Sequence, residues 1–212
     1  MSAKLSAARV RPGGVLLMIG TTKGAFLLAS DARRAKWELT GPYLTGTSVY
    51  SMHFDARAGR SRIHAGAKSY HFGAAILTSD DFGATWSNPE AAPIRFPEGS
   101  ERSLEHIWQI TPAPGDDHTL YAGVEPAALY VSRDAGATWS LVKGLDDHPH
   151  RPQWMPGGGG LALHTIVPHP KDSAKMLVAI SAGGAYRTTD GGASWEPANR
   201  GVRAEFMPEK FP

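Results

Sequence analysis

Short apolar runs recur along the whole chain, each broken off by glycine, proline or a polar turn. LLMIG (16–20) is followed by GAFLLAS (24–30), and VYSMHF (49–54) by RIHAG (62–66) and GAAILTS (73–79). HIWQI (106–110) is followed by LYAG (120–123) and AALYVS (127–132), and LHTIV (163–167) by LVAIS (177–181) and GAYRTT (184–189). None of these runs is long enough for a helix, and β-branched and aromatic residues bounded by turn formers predict strands. A further short run after a tryptophan, such as ELT (38–40) or SLV (140–142), closes each group. Each group therefore reads as four short antiparallel strands in about 50 residues, the make-up of one propeller blade. The first group lacks its earliest strand.

The turn between the third and fourth strands carries a repeated motif. Ser79-Asp80-Asp81-Phe82-Gly83-Ala84-Thr85-Trp86, Ser132-Arg133-Asp134-Ala135-Gly136-Ala137-Thr138-Trp139 and Thr188-Thr189-Asp190-Gly191-Gly192-Ala193-Ser194-Trp195 share [ST]-x-D-x-G-x-[ST]-W. A decayed copy, Ser30 to Trp37, keeps only the serine and the tryptophan. Trp37, Trp86, Trp139 and Trp195 follow one another at intervals of 49, 53 and 56 residues. Asp81, Asp134 and Asp190 suit acceptors for backbone N–H groups of their own turn. Gly83, Gly136 and Gly192 suit positive φ. Trp86, Trp139 and Trp195 pack the hairpin onto its own blade. The boxes are thus read as structural, not catalytic.

These boxes resemble the Asp-box, or bacterial neuraminidase repeat, of sialidases, some glucanases, sortilin-type receptors and photosystem assembly factors. Over residues 14–202 the pattern looks most like the sialidase-like and glycosyl-hydrolase-like Asp-box proteins. The resemblance implies an all-β fold, a β-propeller of four-stranded blades with about four blades present. It implies no single activity, because the repeat occurs on proteins of unrelated function. Members of that group usually run longer, so the chain is expected to be the N-terminal part of a larger propeller. Closure of a four-blade ring by the tail, or of a larger ring by two chains, are the other readings. An incomplete ring would invite self-association through open faces and edges.

Composition narrows the function classes. Lys+Arg 22 against Asp+Glu 20 leaves a net charge of +2, with no basic run of the kind that follows nucleic acid. The absence of cysteine excludes disulfides, Cys-ligated metals and thiol nucleophiles. No apolar stretch approaches the ~18 residues of a membrane span, and VLLMIG is too short for the core of a signal peptide. A cytoplasmic protein with no nucleic-acid or membrane partner is expected, with a flexible N-terminus over 1–13 and the propeller over 14–212.

The loops joining blades, and those joining second to third strands, gather on the propeller face opposite the boxes. That is the default ligand face. The segment from Asp146 to Trp154 is its richest part. Trp154 is expected to stack a sugar ring while His148, His150, Arg151 and Gln153 supply polar contacts, joined by Arg102, Arg95, Lys68, His71 and Arg203 from neighbouring loops. If the chain hydrolyses a glycoside, Glu125, Glu105 and Asp147 are the candidate carboxyls and Tyr70 a candidate nucleophile. Glu98, Asp146, Glu205 and Tyr43 lie on the same loops. Glu125 is expected near the channel mouth, as a ligand contact or as a partner of Arg102. His106 and Trp108 begin an innermost strand and line either the channel or the core.

Sialidases carry a Phe/Tyr-Arg-Ile/Leu-Pro motif ahead of their first box. Here Pro93-Ile94-Arg95-Phe96-Pro97 has those residue types in another order, which argues against sialidase activity. The histidines of the Asp146–Trp154 segment, with His164, have no diagnostic metal spacing, and Gly157–Gly160 lacks the Lys-Ser/Thr of a phosphate loop. No metal or cofactor is expected. The function expected is binding of a carbohydrate or other polar small molecule on the loop face. A glycoside hydrolase and a protein-binding scaffold are the alternatives.

Overall fold

The computed structural model describes residues 6–88 and 94–202. Four antiparallel sheets follow one another along the chain. The first holds β1 (Val15–Thr21), β2 (Gly24–Ser30) and β3 (Trp37–Tyr43). The second holds β4 (Ser48–Asp55), β5 (Arg62–Ser69) and β6 (Gly73–Ser79). The third holds β7 (His106–Pro112), β8 (Leu120–Glu125), β9 (Ala128–Ser132) and β10 (Ser140–Leu141). The fourth holds β11 (Leu163–Pro168), β12 (Met176–Ile180), β13 (Gly184–Thr188) and β14 (Glu196–Pro197). Each is a meander, and β4, β7 and β11 are the inner strands of their blades. The chain is thus an all-β propeller of about four blades, the first without an inner strand, as the apolar runs predict. Among the described residues the one α-helix, α1 (Lys143–Asp146), is a single turn in the third inter-blade loop. Among the described residues no helix is long and apolar enough to cross a membrane.

Packing runs from β1 to β4, from β4 to β7, and from β7 and β8 to β11. Among the described residues no comparable packing joins the fourth sheet to the first. One contact recurs at each joint. A Cβ on Gly20 would lie 2.5 Å from the Val49 carbonyl oxygen, on Gly66 2.8 Å from that of Ile107, and on Gly123 2.3 Å from that of Leu163. Each of these glycines lies in the strand next to the blade's inner position, and each lets the inner strand of the following blade approach backbone to backbone. Two side chains strengthen the joints. The Ser51 hydroxyl donates to the Ile107 carbonyl at 2.8 Å, and Gln109 Oε1 accepts the Ile166 N–H at 2.7 Å. Apolar cores fill the wedges between sheets. Leu27, Tyr43 and Ile63 meet in one, Ile107, Leu120 and Tyr130 in the next, and Leu163, Val178 and Tyr186 in the last.

The boxes close their hairpins as their chemistry predicts. In the third sheet Asp134 accepts the Thr138 N–H at 2.8 Å and hydroxyls from Thr138 and Ser132, while Ser132 Oγ accepts the Gly136 N–H. Asp81 and Asp190 repeat this pattern. Burial pushes the Asp134 carboxyl up, but the Thr138 and Ser132 bonds outweigh it and hold it below its ordinary value. The box glycines have φ of +93° (Gly83), +88° (Gly136) and +94° (Gly192). Two of them also press on the preceding blade, since a Cβ would meet the Tyr43 ring at Gly83 and His64 at Gly136. The decayed copy retains more than its serine and tryptophan. Asp31 accepts the Ala35 N–H at 3.1 Å and Trp37 Nε1 donates to Arg34 O, so a carboxylate one place earlier takes over the turn.

A second clasp lies on the same joint as His64. Asp55, 1% exposed, holds Arg57 and Arg60. Arg57 Nη1 in turn reaches Asp116 O at 2.7 Å and Thr119 O at 3.1 Å. The turn after β4 thus grips the turn after β7. His64 itself is fully buried opposite His53, and both its ring nitrogens lack a hydrogen-bond partner. Burial above all, with the neighbouring His53 and Arg62, pushes His64 down to about 4.

Two outcomes follow. Asp134→Ala is expected to lower stability by about 2 kcal/mol through the lost turn bonds, read as a shift of the urea midpoint; an unchanged midpoint would refute the structural reading. For His64 the folded state resists a proton that the unfolded chain accepts from its ordinary 6.5 downwards. Stability is therefore expected to fall as pH drops from 6.5 to about 4, and to level off below. His64→Leu should flatten that part of the profile, and the same slope in both proteins would exclude His64 as its source.

Candidate functional site

Each inner strand carries a bulge at the equivalent place. The ladder skips Tyr50 between Val49 and Ser51, Trp108 between Ile107 and Gln109, and His164 between Leu163 and Thr165. The cause lies in the joints described above. The carbonyl of the residue before each bulge seats on a glycine of the preceding blade, and Ser51 and Gln109, which follow the first two bulges, bridge to the next blade. The residue between is freed from pairing, and a bulge re-aims its side chain. Tyr50 is 40% exposed and His164 exposed, while Trp108 is half-buried. Tyr50 and Trp108 come together across the joint, with ring centroids 5.5 Å apart and edge to face. The apolar run VYSMHF hides Tyr50, because an aromatic residue in a strand reads as core, whereas HIWQI leaves channel and core open for Trp108. The repeated position of the bulges would have been visible only from the ladder.

Glu125 ends β8 directly opposite His106. Its Oε2 accepts the Trp108 Nε1–H at 3.0 Å and lies 2.8 Å from His106 Nδ1. With the carboxylate ionised, Nδ1 carries the imidazole proton and Nε2 is left as an acceptor. The Tyr50 ring packs on His106 at 4.3 Å. Gly160 closes the other side of the carboxylate. Its φ is +87°, and a Cβ there would lie 2.0 Å from Glu125 Oε1. The run Gly157–Gly160 is therefore a tight turn, with Gly160 N–H donating to Gly157 O, laid over the carboxylate. Beside this group Lys68 pairs with Glu105, and the Glu105 N–H donates to Glu125 O at 2.8 Å. The Lys68 ammonium holds the Glu105 carboxyl below its ordinary value.

The Asp146–Trp154 segment takes a different part from the one expected. Trp154 is 6% exposed, its Nε1 donates to Tyr186 Oη at 2.8 Å, and it offers no open ring face. His148 is 9% exposed and stacked on Trp154, and its Nδ1 accepts the His150 N–H. His150 Nδ1 faces the Tyr186 hydroxyl at 3.4 Å. Arg151 donates to Ala127 O at 2.8 Å and lies over the Trp154 ring. Arg102 does not meet Glu125. It forms two bonds to Asp146, at 2.6 and 2.7 Å, and lies over Phe96. Arg102 and Arg151 thus converge on one carboxylate and pin the second and third inter-blade loops together. Tyr43 is also structural, buried with its hydroxyl donating to Ser6 O.

The remaining candidates are scattered. Gln153 is exposed in a short 3-10 turn, and Asp147 is exposed beside a cleft it shares with Lys143 and His148. Tyr70, 97% exposed, and His71 sit at the tip of the β5–β6 turn, on the rim of an apolar cleft of about 430 Å³. Arg95 is exposed, with its carbonyl accepting the Tyr130 hydroxyl. Arg203 and Glu205 lie outside the described residues. Among the described candidate carboxyls, Glu125 at the end of β8 and Glu105 just before β7 lie beside the strand that carries Trp108.

The family model for the BNR/Asp-box repeat matches residues 130–141, the end of β9 through the box of the third sheet to β10. The chain carries the Asp-box repeat. Oligoxyloglucan-reducing end-specific xyloglucanase of Emericella nidulans is 29% identical over 124 residues, 58% of this chain and 14% of that protein. Vacuolar protein sorting/targeting protein 10 of Pyricularia oryzae is 30% identical over 125 residues, 58% of this chain and 7% of that protein. The matched part is thus a small share of these relatives' length. Among solved structures, the GH74 xyloglucanase from Xanthomonas campestris superposes with a TM-score of 0.57 at 19% identity, covering 92% of this chain and 29% of that one. YCF48 from Cyanidioschyzon merolae superposes at 0.54 and 15% identity, covering 93% and 58%. At such identities the likeness establishes the Asp-box propeller fold.

Burial of Trp154 makes it a packing residue rather than an open stacking face. Trp154→Ala is expected to cost about 3–5 kcal/mol, read from chemical denaturation, with Arg151→Ala also destabilising. A melting temperature within a degree of the parent for Trp154→Ala would show that the loop is not held this way.

Proposed function

We propose that this Asp-box chain binds a carbohydrate against its channel wall, with Tyr50 and Trp108 as the stacking surface and the Glu125–His106 pair as the polar anchor. The observation that carries this reading is the paired bulge. It brings two aromatic side chains together from neighbouring blades, and Glu125 fixes the Trp108 ring by its N–H. Aromatic faces beside a few fixed polar groups are what a sugar ring requires, since its C–H face is apolar and its edge is hydroxylated. Glu105 and His106 Nε2 offer acceptors to such hydroxyls. The xyloglucanase relatives act on a glycan by their names, which supports the substrate class.

Hydrolysis is the second reading, favoured by the same relatives and by the neighbouring Glu105 and Glu125. It needs one carboxyl kept protonated as general acid. Lys68 works against that role at Glu105, so Glu125 would have to provide it. Binding is therefore the reading we favour.

Xyloglucan and cello-oligosaccharides are the first probes, with calorimetry as the readout. Tyr50→Ala and Trp108→Ala are each expected to weaken binding about 10- to 100-fold, or roughly 1.4–2.8 kcal/mol. Tyr50→Ala, at an exposed position, should leave the melting temperature unchanged. Equal affinity in both variants would sink the site. Release of reducing ends by the parent, abolished in Glu125→Gln, would replace binding by hydrolysis as the function.

A further inference from the structure

The wedges between consecutive sheets are built alike, and two of them are filled by an aromatic ring from the loop that joins the sheets. The register marks the equivalent places. Tyr130 of β9 stands opposite Ala122, beside Gly123, and Tyr186 of β13 stands opposite Val178, beside Ala179, the counterpart of Gly123. Both tyrosines are buried in the core shared with the preceding sheet. Phe96 packs on Tyr130 with ring centroids 5.9 Å apart, and the Tyr130 hydroxyl donates to Arg95 O. Trp154 packs on Tyr186 at 5.3 Å and donates its Nε1–H to the Tyr186 hydroxyl. A guanidinium caps each inserted ring, Arg102 over Phe96 and Arg151 over Trp154.

The wedge between the first and second sheets lacks such a ring among the described residues. Leu77 of β6, opposite Ala65 and beside Gly66, takes the place of the two tyrosines. Only Leu44–Thr47 join β3 to β4, a stretch without an aromatic residue and too short to fold back between the sheets. What remains there is the cleft of about 430 Å³, floored by Ala67, Ala75 and Leu77 and rimmed by Tyr70 and Phe72. That volume lies in the range of ligand pockets. The rim aromatics are 97% and 51% exposed. Apart from His71 no lining residue is acidic or basic, so the cleft suits an uncharged ring and offers no partner to an ion. It is separate from the channel-wall group. On β5, Ala67 and Ser69 border the cleft, while Lys68 between them pairs with Glu105 just before β7.

We propose that this cleft is a peptide-docking site, which takes a tryptophan or phenylalanine side chain of a partner protein presented on a proline-flanked segment. The two filled wedges set the chemistry of the occupant. Phe96 is followed by Pro97, and Trp154 lies between Pro152 and Pro156. In the last wedge the capping Arg151 stands on the same short segment as Trp154, so one stretch of chain supplies both the ring and its cation. A partner segment of this kind completes the first wedge as the chain's own loops complete the other two. An aromatic side chain brings a large apolar area on a rigid ring, at low conformational cost.

Calorimetry on the intact chain tests this, with a synthetic copy of residues 149–156, Pro-His-Arg-Pro-Gln-Trp-Met-Pro, as the probe. Saturable binding is expected, weakened about tenfold or more when alanine replaces the tryptophan of the probe. Leu77→Tyr introduces the phenol of the other wedges and should weaken binding by about tenfold or more without lowering the melting temperature. Phe72→Ala, at an exposed position, should also weaken binding and is the second variant should Leu77→Tyr misfold. No saturable binding up to about 1 mM would overturn the proposal. So would equal affinity for the alanine probe. Unchanged affinity in both variants would overturn it as well, since the probe would then be displacing Trp154 from its own wedge. N-acetyltryptophanamide binding as tightly as the probe would make the cleft a pocket for a small aromatic compound and would equally overturn a peptide partner.

Discussion

The structure depends on a backbone contact between consecutive blades. At three joints the carbonyl oxygen of an inner strand rests on the Cα of a glycine in the preceding blade, so closely that any side chain there would overlap it. Close approach lets Leu27, Tyr43, Ile63 and their counterparts fill the wedges without gaps, and tight packing is where apolar burial yields most of its stabilisation. It also puts the Ser51 hydroxyl and the Gln109 amide within bonding reach of the next strand. The inner strand seats its carbonyl at one residue and bridges at the second one on, and the residue between has nothing to pair with. The channel-facing bulges at Tyr50, Trp108 and His164 fit this single constraint.

The loop face is held by ion pairs together with a buried aromatic cluster. Arg102, Asp146 and Arg151 link two long inter-blade segments, and Trp154, Tyr186, His148 and His150 form a buried aromatic cluster beneath one of them. This polar layer is a scaffold that keeps the Gly157–Gly160 turn over Glu125. The Glu125 carboxylate faces His106 and Trp108, while Arg102 and Arg151 pair with Asp146. Cations on this face are largely paired with carboxylates or main-chain carbonyls, and what the wall offers a ligand is aromatic surface and acceptors.

The architecture was legible in the sequence, because the evidence for it is local. The alternation of short apolar runs and the box at intervals near 50 residues fix the strands and their order within each blade. The turn chemistry of Asp81, Asp134 and Asp190 needs no tertiary partner to be understood. The site was legible in part. Glu125 was singled out in the sequence, and His106 and Trp108 were read as lining either the channel or the core; the structure brings the three together through the Glu125 carboxylate. Trp154 and Arg151 misled because a polar, proline-rich loop with a tryptophan reads alike whether it is open or folded back on itself. Which of these it is depends on Tyr186 and Ala127, more than 20 residues away in the chain. Tyr50 went unnoticed for the converse reason. A tyrosine inside a strand is read as core, and only the ladder reveals that it was pushed out of register.

The bulges carry a consequence for how such a chain can change. A residue outside the hydrogen-bonded ladder adds no main-chain pairing to its own sheet. Tyr50, Trp108 and His164 are three different residue types at one structural position, and the strands around them are alike. The wall of the channel can therefore be rewritten one blade at a time while the joints stay intact. A lineage of such proteins would be able to exchange one ligand for another through substitutions at three or four positions, with the rest of the chain held under the unchanging demand of its glycines.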